Sequence, residues 1–138
     1  MNEARHSRRA FQSVGAVLAG FFAGAALSLG TDEVFHMLKV YPLWGERMSD
    51  GLFWLATAYR ILYSILSAYI AARFAPYKPM RHALVLGAIG LLVSIGGAVA
   101  TWNRALGPHW YSIVIAAIAL PCAWTGATLF LRRRQLPA

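Results

Sequence analysis

Apolar residues in this chain fall into four long runs, separated by short polar segments. Val14 to Gly30 carries no charge, and its pattern extends over about residues 11–31. The second run, about 51–73, holds a single charge, Arg60, between Gly51 and Ala72. The third and fourth, about 82–103 and 109–131, are uncharged between Ala83 and Asn103 and between Trp110 and Leu131. Each matches the ~20 residues that a hydrocarbon core of ~30 Å asks of a helix. Strands do not fit, because the runs are continuous instead of alternating and four strands cannot close a barrel. The pattern predicts an all-α polytopic membrane protein. Residues 1–138 form one integral membrane domain, a four-transmembrane-helix bundle with an outer loop at 32–50.

Composition supports this reading and removes others. The chain is 59% hydrophobic and 13% charged, against ~25% charged in an ordinary soluble domain. A net charge of +8 raises the question of nucleic acid. The basic residues, however, sit in short clusters between apolar runs and form no basic face interleaved with aromatics, so nucleic acid is not an expected partner. Cys122 stands alone, which leaves neither a disulfide framework nor a redox pair.

The distribution of charge sets an expected orientation. Arg5, Arg8 and Arg9 precede the first run, Arg73, Lys78 and Arg81 flank the second connection, and Arg132, Arg133 and Arg134 follow the fourth. Only Lys39, Arg47 and Arg104 lie on the other side. The positive-inside rule puts both termini in the cytoplasm. Tyr41, Trp44, Trp54, Trp102, Trp110 and Tyr111 then fall at the outer boundary, where interfacial aromatics belong. Reporter fusions after Pro76 and after Pro137 are therefore expected to behave as cytoplasmic, and one near Lys39 as exported. An exported reporter at Pro137 would overturn the four-span topology. SRRAF at residues 7–11 also resembles a twin-arginine export signal. Under the same rule it reads as a basic anchor, and the apolar pattern continues past the candidate cleavage point.

Helix faces carry the next layer. Ala83, Gly87, Gly90, Ser94, Gly97 and Thr101 recur at spacings of three and four, as do Ala16, Gly20, Gly24 and Ser28, and Ser112, Ala116, Ala119, Ala123 and Gly126. In lipid such stripes allow backbones to approach closely, so Gly20, Gly24, Gly87, Gly90 and Gly97 are expected helix-packing positions. Pro121 lacks the N–H that would bond the Ala117 carbonyl and is expected to bend the fourth helix.

Arg60 shares a stripe with Asp50, Thr57, Ser64, Ser67 and Ala71. A polar seam in a membrane helix faces the bundle interior or a hydrated cleft. Its expected partner comes from the first helix, where Ser28, Asp32 and His36 continue the small row at i+4 steps. The candidate ligand-binding or ion-pair set is therefore Arg60, Asp32, His36, Glu33, Ser64 and Ser67. Glu33 and His36 have the E-x-x-H spacing used in di-iron bundles, but there is one copy and no other intramembrane acid. No metal or cofactor is expected.

GTDEVFH, VYPLWGERMSD, AYR, ARFAPYKPMRHALVLG and LPCAW, spread over most of residues 29–126, resemble a family of small, uncharacterised four-helix bacterial inner-membrane proteins. That resemblance implies a multi-pass protein of the bacterial inner membrane and attaches no activity to it. Small multidrug exporters need an acid within the first helix, and thiol-oxidising membrane enzymes need paired cysteines; neither is present. No Ser–His pairing, HExxH or phosphate loop occurs. The expected function is non-enzymatic: an accessory or scaffold subunit packing through its small-residue faces. The partners are the lipid bilayer and either a membrane protein or a second copy of the chain. The alternative is a small oligomeric transporter or channel with a polar site around Arg60 and Asp32.

Overall fold

The computed structural model describes residues 2–135. They form four helices: α1 (Asn2–Met37), α2 (Asp50–Phe74), α3 (Pro79–Thr101) and α4 (His109–Gln135). All four are long and apolar enough to cross a membrane, and there is no strand among the described residues. The protein is thus all-α, with the architecture of a multi-pass membrane protein. The connections 38–49 and 102–108 lie at one end, here the loop face. The start of α1, the end of α4 and the connection 75–78 lie at the other, the terminal face.

The helices overrun the apolar stretches that announce them. At 1.5 Å per residue, α1 is ~54 Å long, well beyond a hydrocarbon core. It continues through Asp32, Glu33 and His36, which were expected in a loop starting at 32, and closes with Leu38 N–H donating to the Val34 carbonyl. Polar side chains end an apolar run without ending a helix, because intrahelical bonding serves the backbone wherever the side chains face. Proline sets the true boundaries at the terminal face. Ala75, which precedes Pro76, is extended (φ −62°, ψ 127°) and stops α2. Pro79 opens α3, where its missing N–H costs nothing. Lys78 between them takes a left-handed φ of 41°. Helix α4 runs unbroken through Pro121.

Helix α2 is central. It packs against α1, α3 and α4, whereas α1 and α4 do not touch. Toward the terminal face the core is built almost wholly from alanine: Ala68, Ala71, Ala72, Ala83, Ala123 and Ala127 are all buried. A β-carbon on Gly126 would collide with the Ile65 carbonyl of α2 and lie 2.8 Å from Ala68 Cβ. One on Gly87 would lie 2.6 Å from Ala123 Cβ, and one on Gly20 2.6 Å from the Ser67 carbonyl. Gly24 is seated on the Ser67 side chain. Close approach through small residues thus holds this half together, where apolar burial alone drives little association between helices in lipid.

The small stripe of α3 does not stay packed along its whole length. At Gly90 the nearest atom to a β-carbon is 4.0 Å away, and at Gly97 nothing lies within 4 Å. Gly97 is therefore not a packing position within the molecule, contrary to the expectation from its spacing. Although α3 packs against α4, its other face is open toward the loop face, where Leu92, Val93 and Val99 are each at least 60% uncovered by protein.

Candidate functional site

The antiparallel register of α1 and α2 determines what meets Arg60. Gly20 lies opposite Ala71 and Gly24 opposite Ser67. Continuing toward the loop face, Thr31 comes level with Tyr63, their hydroxyls 2.8 Å apart. Asp32 then comes level with Tyr59 and Arg60. Arg60 Nη2 donates to Asp32 Oδ2 at 2.6 Å, and the Tyr59 hydroxyl donates to Asp32 Oδ1. The Tyr59 and Tyr41 hydroxyls are 3.1 Å apart, extending the chain into the 38–49 connection.

This connection is part of the site. The N–H groups of Val40 and Tyr41 donate to the Phe35 carbonyl, folding the segment back over the end of α1. Tyr41 is consequently buried with Ala56 and Tyr59, and Phe35, Met48, Leu52, Tyr63 and Tyr111 pack around them. Burial pushes the Tyr41 phenol above its ordinary range, since the phenolate would be poorly solvated there. On the other side, the Arg60 guanidinium carbon lies 5.8 Å from the centre of the Tyr111 ring, a cation–π distance.

Both carboxylate oxygens of Asp32 are thus engaged, but the donors of Arg60 are not exhausted. Its Nε is buried and has no hydrogen-bond partner among the described residues. An unmet buried donor of this kind costs ~1–3 kcal/mol, so the arrangement has donor capacity to spare and little room for a further cation.

The same arginine stands at the head of a cleft lined by all four helices, about 380 Å³ in volume. Ser64 and Ser67 of α2 form its floor, with Ser28 from α1 and Ser94 from α3 on the walls. The cleft exists because α1 never reaches α4. Its lips are Phe21 and Leu29 on α1 and Val93 on α3, all exposed. It ends toward the terminal face where Gly20 meets Leu86.

Other expected site residues are placed elsewhere. Glu33 is exposed. The His36 ring stacks on Trp44 at 3.9 Å, with Nδ1 2.7 Å from the Asp32 carbonyl. Glu33 and His36 therefore do not converge, and among the described residues no three His, Cys, Asp or Glu side chains could jointly hold a metal ion. The Ser67 hydroxyl donates to its own helix, at the Tyr63 carbonyl. Tyr59, Tyr63 and Tyr41 were not among the sequence candidates. A signal existed: Tyr59 and Tyr63 flank Arg60 at i, i+4 spacing, and a buried tyrosine hydroxyl needs a polar partner. Compared with family models, curated proteins and solved structures, the chain finds no match.

Proposed function

We propose that the protein is a non-enzymatic subunit of the bacterial inner membrane, with both termini cytoplasmic, that lends a helix face to a larger membrane assembly. The observation that supports this is the unpacked half of α3. Gly96 and Gly97 have no neighbour within 4 Å of a β-carbon, although they lie about one turn inside the loop-face end of a helix otherwise rich in Leu, Ile and Val. Lipid derives no benefit from glycine, whereas another transmembrane helix approaches it more closely than it could any larger residue. The occupant of this face is a partner protein's transmembrane helix.

The test combines mild-detergent purification with cysteine cross-linking in native membranes, using Gly97→Cys in a Cys122→Ala background. A heteromer of fixed stoichiometry, cross-linked from Gly97 but not from a lipid-facing Leu62→Cys control, is the expected result. A bare monomer with no adduct would overturn the reading. A homo-oligomer enclosing a hydrated cavity would replace it with transport, the reading favoured by the placement of Arg60 on a cleft wall.

A further inference from the structure

The cleft beneath Arg60 has one charged end and an uncharged, largely apolar body. At its loop-face end is a guanidinium that is 32% exposed, gives Nη2 to Asp32, and has its charge balanced there. Away from that end no charged side chain lines the walls, where Leu29, Val93, Ile115 and Ile118 are interspersed with serines down to the Gly20–Leu86 closure. Arg60 lies six residues past Trp54, or ~9 Å along the helix. Trp54 itself stacks on Trp110 at 4.6 Å, within the aromatic belt that marks a membrane interface. The head of the cleft thus sits just below the interface and its uncharged end points to the bilayer midplane. A phospholipid in that leaflet is oriented the same way.

We propose that the cleft is a binding site for one glycerophospholipid of the loop-face leaflet. Its phosphate oxygens accept hydrogen bonds from the exposed terminal N–H groups of Arg60 that Asp32 does not take, and one acyl chain fills the space between α1 and α3. The head of the cleft favours an acceptor of hydrogen bonds, because a guanidinium has donors only and Asp32 engages just Nη2. Entry requires no gate, since the opening between Phe21, Leu29 and Val93 faces the membrane directly. A volume of about 380 Å³ lies at the small end of the ~300–1,000 Å³ typical of ligand pockets, which suits a single chain better than a bulky solute. The partner face begins at the next turn of the same stripe of α3, at Gly97, and lipid retention by the isolated chain is read without any partner present.

Native mass spectrometry of the full chain, released from nanodiscs of phosphatidylcholine and phosphatidylglycerol, tests the site. Wild type should retain one phospholipid. Ser94→Phe places a ring in the cleft without touching the Arg60–Asp32 pair and should lower retention about tenfold or more, the equivalent of 1.4 kcal/mol. Arg60→Lys keeps the charge opposite Asp32 but lacks the planar fork, and its retention should fall as well. Circular dichroism melts establish that each variant is folded. Unchanged retention in either folded variant would overturn the proposal, as would a wild type that holds only maltoside detergent. Equal retention of diacylglycerol, which has the chains but no phosphate, would also overturn it.

Discussion

Replacing Asp32 with alanine is expected to destabilise the protein by ~3–5 kcal/mol, the cost of removing one partner from a buried charge pair. The side chain of Asp32 is 10% exposed and that of Arg60 32%. Asp32→Ala leaves the Arg60 guanidinium without its counter-charge and the Tyr59 hydroxyl without an acceptor, both against low-dielectric surroundings. Asp32→Asn should be milder, because an amide oxygen still accepts from one of the two donors. Arg60→Met should cost about as much as Asp32→Ala, by leaving the carboxylate buried. The double change Arg60→Met/Asp32→Ala should cost less than the sum of the two single changes. Thermal unfolding in detergent, followed by circular dichroism, measures the cycle. Strict additivity would mean that the two charges are solvated separately and that the contact contributes nothing.

The second large effect is expected at Gly126. Leucine there should cost ~3 kcal/mol or more, at or beyond the upper end of the usual penalty for overpacking. The obstacle is backbone: the Ile65 carbonyl and the Tyr69 nitrogen, the latter 2.9 Å from an ideal β-carbon, cannot swing aside as a side-chain tip would. Gly97→Leu, on the uncovered half of α3, should stay within ~0.5 kcal/mol for the isolated protein. Comparison of the two melting temperatures decides the matter, and equal losses would mean that α3 is packed along its full length.

These two glycines also mark where a sequence stops being informative. The four spans are legible from hydropathy because membrane burial is a property of each segment alone. Asp32 is legible as a neighbour of Arg60 because α1 and α2 are joined by a short connection and must run antiparallel, which leaves only their register open. Gly97 and Gly126 look alike as members of small-residue stripes. Gly126 of α4 meets the Ile65–Tyr69 backbone of α2 and Gly97 of α3 meets nothing, a difference set by how all four helices pack together. The tyrosine network was hidden for a related reason. Tyr41 reads as an interfacial aromatic until the 38–49 connection folds back onto Phe35, and only that fold makes its hydroxyl an internal group.

The order of charges along the chain bears on how this molecule enters a membrane. Alone in lipid, α2 would carry an unpaired guanidinium, at a cost of several kcal/mol or more. Synthesis proceeds from the N-terminus, so the carboxylate of Asp32 is delivered before Arg60 is made, and on the only helix that can meet it early. The pair of helices can partition as a hairpin with its charges already neutralised, the tyrosine hydroxyls serving as its first internal solvent. Helices α3 and α4, which carry no charge across the membrane core, need no such escort and can dock afterwards against a finished template.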